Sequence, residues 1–346
     1  MEDLTITDPT TNLTLTFSPS DVAYISPSSL SVWLAFCTAL CTFGTLSYLI
    51  LLAILFRRHN GCKGAGGLLM VHLVILELIN SLGYLSFFTV TTYVAQSGVR
   101  LNHTACAIGQ LLFLSTVVAG NWVAVVMAVN RFVAIVFPLW YKVWLDSPLW
   151  SWAVGLCWFI AFACYVPIFM GIGGVLAAIP PLGTCGVYPF PGWRYHFSVQ
   201  FGTPVPMFLI GIFYGLIYLK MVVKVAERRT SQASVINFSR RESTIERLLM
   251  VRYRTAKMLC ISAIWHCLCF VPLPIMVEYA PIFYRDPLVH LWIRTIFFCG
   301  YAFNPVILFI MNERYRQCLM EKLWCFGTVS KGNQDDPDSH KPITAL

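Results

Sequence analysis

Three charged residues interrupt long apolar segments of this sequence, and each could do chemistry there. Glu77 stands in segment 68–93, Arg131 follows an uncharged stretch that begins at Ala105, and Arg294 lies in segment 289–311. An ionisable group inside a membrane-length apolar segment is costly to bury and marks a functional site by default. A buried carboxyl group can bind a cation or keep a proton, and an arginine can pair with a carboxylate.

The sequence carries no pattern typical of an enzyme or a metal centre. It has no His-Glu-x-x-His, Gly-x-Ser-x-Gly or phosphate-loop pattern, and its 7 histidines are dispersed. Its 13 cysteines include no Cys-x-x-Cys pair and stand mostly in apolar runs. We therefore predict that the protein is not an enzyme and uses no cofactor.

The composition predicts that lipid is the solvent of this chain. Of its 346 residues, 58% are hydrophobic and 12% are charged, and the mean hydropathy is +0.69. A soluble domain carries about twice that charged fraction. Seven segments are long enough to cross a bilayer, which takes roughly 20 apolar residues. They are, approximately, 31–56, 68–93, 106–137, 149–171, 197–219, 257–279 and 289–311.

The basic residues predict the orientation of the chain. If the N-terminus is outside, 20 of the 24 lysines and arginines fall on the cytoplasmic side, and only Arg100, Arg194 and Arg285 lie in outer segments. The net charge of +8 is thus a topology signal, and we predict no nucleic-acid partner. The first thirty residues have no basic start for a cleavable signal peptide. The sequons at Asn12 and Asn102 fall outside, as glycosylation requires.

Motifs at particular depths in six of the seven segments carry a resemblance to a known family. They are Leu73-Val-Ile-Leu-Glu77-Leu; Cys106 and the triplet Asn130-Arg131-Phe132, with 25 residues from the cysteine to the arginine; Trp158 with Pro167; Pro206, Tyr214 and Ile217; Cys269-Phe270-Val271-Pro272; and Asn304-Pro305-Val306-Ile307-Leu308. Over roughly residues 30–326, the chain resembles a rhodopsin-like (class A) G-protein-coupled receptor.

This resemblance implies an all-α bundle of seven transmembrane helices with a short amphipathic eighth helix near Tyr315-Arg316. We expect an extracellular segment 1–30, a receptor domain 31–326 and a cytoplasmic tail 327–346. The implied function is binding of an extracellular ligand within the bundle and activation of a heterotrimeric G protein at the plasma membrane. A polytopic transporter is the alternative, although the sequence shows no internal repeat.

The resemblance also assigns roles to the residues of the coupling machinery. Cys106 and Cys185 are expected to form a disulfide. Asn130, Arg131 and Phe132, with Tyr214, Asn304 and Pro305, are expected to act in coupling, and Phe270 with Pro272 in switching. Asn130 replaces the family's acid, which predicts a weakly restrained resting state with basal signalling. Arg131 as a mere interfacial residue is the competing interpretation.

Glu77 occupies the position where the family's aspartate binds sodium. Thr116 and Asn304 are its expected partners, whereas Gly120 and Gly300 stand where polar side chains commonly help. Two interpretations stay open: a sodium site, or a neutral Glu77 held by hydrogen bonds.

The expected ligand pocket is formed by Phe113, Val117, Phe270, His290 and Arg294. Phe113 stands where amine receptors carry an aspartate, and Phe298 where opsins carry the retinal lysine, so neither ligand is expected. Arg294 favours an acidic lipid or peptide. Its alternatives are internal pairing with Glu278 and snorkelling to the interface.

The cytoplasmic side offers further predicted sites. The basic segment 220–257 could dock a G protein or anionic membrane lipid. Cys318 and Cys325 are candidates for palmitoylation. The last residues, Thr344-Ala345-Leu346, fit the terminus that a PDZ-domain protein binds.

Overall fold

The computed structural model describes residues 4–7, 14–17, 22–57, 65–137, 140–141, 149–190, 193–232, 257, 260–279 and 286–311. Within them, seven helical stretches are long and apolar enough to cross a membrane, and we number them span one to span seven. They are Pro27–Phe56, Gly67–Gln96, His103–Val136, Leu149–Phe169, Trp193–Val223, Cys260–Val277 and Pro287–Ile310. The prediction of seven spans is confirmed, and each agrees with its predicted position within a few residues.

The spans are built from α-helices that mostly begin at local start signals. The α-helices are Pro27–Arg57, Ala65–Ile79, Leu85–Gln96, His103–Val136, Leu149–Phe169, Trp193–Gly202, Pro204–Gln232, Pro272–Tyr279 and Pro287–Met311, and residues 260–270 are also helical. Four of them start at proline, whose missing N–H costs nothing in a first helical turn. Asn102 caps span three, because its side chain accepts a hydrogen bond from the backbone N–H of Ala105 at 3.1 Å.

Span two contains one π-helical turn, Asn80–Tyr84, between its two α-helices. A π turn inserts extra backbone and rotates the residues that follow it. Asn80 and Tyr84 are buried on the inner side of the span. The hydrophobic pattern did not indicate this turn.

Span five is interrupted at Thr203, and two backbone carbonyl oxygens next to the interruption accept hydrogen bonds from side chains of span three. Pro206 has no N–H to donate to the carbonyl oxygen of Gly202, four residues earlier. The side-chain nitrogen of Asn121 donates to that oxygen at 2.9 Å, and the indole N–H of Trp122 donates to the carbonyl oxygen of Phe201 at 3.1 Å. The interruption of span five is therefore stabilised by span three.

A β-hairpin lies across one end of the bundle, which we call the hairpin end. Strands β3 (Gly174–Ile179) and β4 (Thr184–Pro189) pair antiparallel, with Ala178 opposite Cys185. The predicted disulfide between Cys106 and Cys185 is present and joins the hairpin to span three. A second hairpin, β1 (Leu4–Thr7) with β2 (Thr14–Phe17), precedes span one.

The chain before span one is fastened to this end by Gln96. Its side-chain oxygen accepts from the N–H of Ile25 at 2.9 Å, and its nitrogen donates to the carbonyl oxygens of Ala23 and Leu182.

The opposite end of the bundle, where span three ends near Arg131, is called the Arg131 end. Several predicted features lie outside the described residues: the eighth helix, segment 233–256, Asn12, Cys318, Cys325, the tail and the side chain of Glu278.

Candidate functional site

A polar cluster around Glu77 joins four spans in the middle of the bundle. The Glu77 carboxyl group is 3% exposed, so its oxygens must be satisfied by protein groups. The side-chain nitrogen of Asn304 lies 2.8 Å from both oxygens, and the hydroxyl of Tyr48 lies 2.9 Å from Oε2. The Nε2 atom of His266 lies 3.4 Å from Oε1.

Neighbouring groups orient the side chains of this cluster. The Ser262 hydroxyl donates to Oδ1 of Asn304 at 2.7 Å, which leaves the amide nitrogen facing Glu77. The Nδ1 atom of His266 lies 2.8 Å from the carbonyl oxygen of Ser262. The Tyr48 hydroxyl is also 2.7 Å from the carbonyl oxygen of Tyr301. Spans one, two, six and seven therefore meet at one carboxyl group.

A cavity of about 50 Å³ adjoins the cluster, which is room for a few water molecules. Spans two, three, five, six and seven line it. Its polar lining consists of Glu77, Asn80, Asn121, Tyr214, Ser262, His266, Tyr301 and Asn304. The cavity could let side chains rearrange when one span moves against the others.

The structure brings only one of the two expected partners to Glu77. Asn304 is in contact with it, whereas the Thr116 hydroxyl lies 2.7 Å from Oδ1 of Asn80 instead, next to the π turn. Sequence reasoning missed Tyr48 and His266. The motifs of the sequence include neither Tyr48 nor His266, so the sequence held no clear signal for either residue.

Phe270 lies beside this cluster and packs against span seven. It is 1% exposed, and its ring centroid is 4.8 Å from those of both Phe297 and Tyr301 and 5.0 Å from that of His266. Span six is interrupted at Val271, before Pro272. A Cβ added to Gly300 would lie 3.0 Å from the Cβ of Cys269 and closer still to the Phe270 ring. Gly300 thus permits the close approach of spans six and seven.

Asn130, Arg131 and Phe132 lie together at the Arg131 end. Asn130 is completely buried, and its side chain has no hydrogen-bond partner among the described residues. Arg131 is half-buried and close enough to Tyr214 for electrostatic interaction. Phe132 packs against Phe213, with centroids 5.6 Å apart.

Span seven contributes the predicted coupling residues Asn304 and Pro305. Pro305 is inside the helix Pro287–Met311, one residue after Asn304. Leu308, three residues after Pro305, lines the cavity together with Tyr214. Span seven therefore adds an apolar side chain to the wall of the cavity that Tyr214 also lines.

Of the residues of the expected ligand pocket, Arg294 is packed beneath the hairpin. The guanidinium of Arg294 lies 5.2 Å from the centroid of the Phe88 ring, and its NH1 atom is 3.5 Å from the carbonyl oxygen of Cys185. Gln110 donates to the same carbonyl oxygen at 2.7 Å. His290 is completely buried. The hairpin backbone therefore occupies the space in front of Arg294.

Phe113 and Val117 continue span three toward the cavity. Phe113 stacks on Tyr84 with centroids 5.5 Å apart, and it also contacts Phe87. Val117 is 3% exposed and lines the cavity. Phe298 packs edge-on against Tyr84 at 5.1 Å. Phe113 is therefore packed against span two.

Comparisons with known proteins agree with this geometry. Residues 47–308 match the family model "7 transmembrane receptor (rhodopsin family)". The rhodopsin of Sargocentron spiniferum is 23% identical over 295 residues, covering 80% of this chain and 78% of that protein. The muscarinic acetylcholine receptor M3 of Rattus norvegicus is 24% identical over 217 residues, covering 62% of this chain but 36% of that receptor. The crystal structure of squid rhodopsin superposes with a TM-score of 0.72 at 13% identity, covering 92% of this chain and 91% of that one.

Proposed function

Because the chain belongs to the rhodopsin family of seven-transmembrane receptors, we propose that it binds an extracellular ligand at the hairpin end and activates a heterotrimeric G protein at the Arg131 end. The family consists of membrane receptors and not of enzymes. The observation that carries the proposal is the placement of Arg131, within electrostatic range of Tyr214, at the end of the bundle opposite the disulfide-bonded hairpin.

The proposed orientation places the N-terminus and the hairpin outside the cell. A disulfide persists in an oxidising compartment, which favours the extracellular side for Cys106 and Cys185. The distribution of basic residues favours the cytoplasmic side for the Arg131 end. With this orientation, segment 1–30 is extracellular, residues 31–326 form the receptor and residues 327–346 form a cytoplasmic tail.

The ligand class that the pocket favours carries a carboxylate, as a fatty acid or a peptide terminus does. The guanidinium of Arg294 lies over the Phe88 ring, and its NH1 atom is 3.5 Å from the carbonyl oxygen of Cys185. A carboxylate would form a bidentate, charge-assisted pair with the guanidinium and displace that contact. For a ligand to reach Arg294, the hairpin must shift. Because the disulfide holds Cys185 to span three, that shift is limited to the parts of the two strands around the disulfide.

Coupling to the G protein is tested with purified receptor and a panel of G-protein heterotrimers. The wild type should accelerate GTPγS binding to at least one heterotrimer, because Arg131 is available at the rim of the bundle. Arg131→Ala should abolish this acceleration. Arg100→Ala, an exposed arginine at the hairpin end, is the matched control and should keep it. Equal exchange rates for the wild type and Arg131→Ala would contradict the proposed coupling role.

The ligand class is tested by screening cells that express the receptor with fatty acids and with peptides that have free C-termini. Arg294→Ala should lose the response to an acidic agonist while surface expression is kept. Arg294→Lys should recover only part of it, because lysine cannot form the bidentate pair. Arg194→Ala, which removes an exposed arginine beside Trp193, should respond as the wild type does. An unchanged potency in Arg294→Ala would contradict the acidic-ligand proposal.

A further inference from the structure

Side chains from two different spans converge on one carbonyl oxygen of the hairpin. The side-chain nitrogen of Gln110, on span three, lies 2.7 Å from the carbonyl oxygen of Cys185. The NH1 atom of Arg294, on span seven, lies 3.5 Å from the same oxygen. Both nitrogen atoms carry hydrogens, and the carbonyl oxygen can only accept. The oxygen therefore occupies a point toward which two spans direct donors.

The orientation of the Gln110 amide follows from its two neighbours. Its side-chain oxygen lies 3.4 Å from the hydroxyl of Tyr84, which donates to it, and its nitrogen faces the Cys185 carbonyl oxygen, which has no hydrogen to donate. Gln110 is 1% exposed, so these protein groups take the place of water around its amide. Tyr84 belongs to the π turn of span two. The π turn thus supplies the group that turns the amide nitrogen toward the hairpin.

The guanidinium of Arg294 is held at this point by span two and by strand β4. Its central carbon lies 5.2 Å from the centroid of the Phe88 ring, within the range of a cation–π contact. A Cβ added to Gly186 would lie 3.1 Å from the NH2 atom of Arg294. Both terminal nitrogens therefore lie against β4, one near the Cys185 oxygen and the other near the glycine that follows it.

This set of donors fits a carboxylate better than it fits a neutral carbonyl group. A hydrogen bond from a guanidinium to a carboxylate is charge-assisted and roughly twice as strong as one between neutral groups. A carboxylate also has two oxygens with about four lone-pair sites, so it can accept from a guanidinium and from an amide nitrogen at the same time. A backbone carbonyl group offers one oxygen and no charge.

We propose that the Cys185 carbonyl oxygen is the resident occupant of an acid-binding site, and that Gln110 binds the ligand there together with Arg294. The ligand's carboxylate takes the place of this oxygen and accepts hydrogen bonds from the guanidinium and from the Gln110 amide. The inference rests on the proposed function, because it concerns the same acidic ligand. It adds a second binding residue and identifies the receptor's own hairpin as the competitor of the ligand.

The hairpin is fastened to the bundle by groups other than this carbonyl oxygen. The disulfide joins the sulfur of Cys185 to Cys106, and the Thr184 hydroxyl accepts from the hydroxyl of Thr92 on span two at 3.2 Å. Loss of the Gln110 contact therefore does not detach the hairpin. Because the ligand and the carbonyl oxygen exclude each other, weakening only the attachment of the hairpin should strengthen ligand binding.

The competing interpretation is that Gln110 only supports the hairpin. On that interpretation, Gln110→Leu makes the Cys185 oxygen easier to displace, and the affinity for an acid rises. If Gln110 binds the ligand, the affinity falls, because the bond lost to a carboxylate is stronger than the bond lost to a neutral carbonyl group. Gln96→Leu is the matched control, since Gln96 also donates to a hairpin carbonyl oxygen, that of Leu182 at 3.2 Å, but at the turn between the strands.

The first measurement needs no ligand. Gln110→Glu places a carboxylate at the proposed site, where Arg294 can pair with it, so the thermal inactivation temperature of the purified receptor should stay close to that of the wild type. Adding Arg294→Gln to Gln110→Glu should lower this temperature by several degrees more than Arg294→Gln does alone, because the buried carboxylate loses its partner. A double variant that does not fold, although both single variants do, is an extreme form of the same coupling.

Two results of this measurement would overturn the proposal. Additive effects of the two substitutions would show that the side chains do not meet at one point. A Gln110→Glu variant that fails to fold with Arg294 present would show that no carboxylate fits there.

The second measurement uses decanoate as the acidic probe and decanol as its uncharged match. Decanoate should stabilise the wild type with a concentration dependence that gives an apparent Kd. Gln110→Leu should raise this Kd about tenfold, the effect of losing one charge-assisted hydrogen bond, and leave the weak effect of decanol unchanged. Gln96→Leu should keep or lower the Kd. An unchanged or lower Kd in Gln110→Leu would overturn the ligand role of Gln110.

A short apolar peptide with a free C-terminus, compared with its C-terminal amide, repeats the test for a peptide acid. If neither decanoate nor this peptide binds the wild type, the ligand role of Gln110 and the acidic-ligand class are both wrong, even when the first measurement shows coupling. Activation of a G protein through Arg131 is measured separately and does not depend on this result. If the acids bind and only the effect of Gln110→Leu is absent, the acidic-ligand class stands and the inference about Gln110 is wrong.

Discussion

Asn130 is completely buried, yet neither polar atom of its side chain has a hydrogen-bond partner among the described residues. An unsatisfied buried amide costs about 1–3 kcal/mol, so this arrangement is less stable than a paired one. The neighbouring Arg131 likewise has a buried Nε atom without a partner in the described part of the chain. We therefore expect these two residues to restrain the resting state only weakly.

Asn130→Asp should lower basal signalling, because a carboxylate beside Arg131 forms a charge-assisted pair in place of an unpaired amide. A gain of about 1 kcal/mol in restraint corresponds to roughly a fivefold fall in basal activity. The measurement is basal GTPγS exchange on purified receptor. Asn130→Leu has a similar volume and no charge, and it should not lower the rate. An unchanged rate in Asn130→Asp would show that Arg131 is not restrained from this position.

The sequence predicted some residues of the central cluster around Glu77 and not others. Asn304 was expected beside Glu77 because both stand in motifs whose depth in the bundle is known. Tyr48 and His266 stand in motif-poor parts of their spans. Helical periodicity gives the face on which a side chain lies, but which neighbour it meets depends on how each helix is rotated. That rotation was set by packing of residues far apart in the chain.

At the scale of elements, the contact between spans six and seven depends on a glycine, which has no side chain to hold the two helices apart. From sequence, Gly300 was interpreted as the loss of a polar residue near Glu77. In the structure, it lies against Phe270 and Cys269, where a Cβ would have no room. The physical reason is that the bulky Phe270 ring fills the space over the backbone of span seven. The sequence showed the glycine but not the ring above it.

Gly300→Ala should destabilise the receptor by about 1–3 kcal/mol, the usual cost of overpacking a well-packed contact. Gly211→Ala is the matched control, since Gly211 is an exposed position of span five with nothing within 4 Å of an added Cβ. It should be neutral or stabilising by up to about 1 kcal/mol, because alanine favours a helix more than glycine does. Thermal inactivation in detergent measures both. Equal stability of the two variants would contradict the close contact.

The elements that sequence reasoning missed were those that depend on backbone geometry. The π turn Asn80–Tyr84 and the interruption at Thr203 leave the apolar composition of spans two and five unchanged. Composition and length therefore predicted both spans correctly but not their irregularities. The hairpin strands β3 and β4 were also missed, because a short buried strand pair resembles an ordinary apolar loop in composition.

At the scale of the whole molecule, two independent features distinguish the two ends of the bundle. The hairpin end carries a disulfide, and the Arg131 end continues into the basic segment 220–257. Both are consistent with an extracellular hairpin end and a cytoplasmic Arg131 end. The seven crossings could be predicted from length and apolarity alone. The orientation rests on charge and redox chemistry, and it stays a prediction.

Asn102 provides the test of that orientation, because it lies at the hairpin end, at the start of span three. It is exposed, and its Oδ1 atom is engaged by the N–H of Ala105, so the nitrogen that would carry a glycan is left available. In secretory-pathway cells, the wild type should lose apparent mass on glycosidase treatment, and Thr104→Ala should lose less because its sequon is destroyed. This substitution leaves the Asn102 cap in place, so a change in glycosylation cannot be ascribed to unfolding of the helix start. An epitope tag at the N-terminus should be accessible on intact cells. A tag that is reached only after permeabilisation would place the hairpin in the cytoplasm and reverse the roles assigned to the two ends.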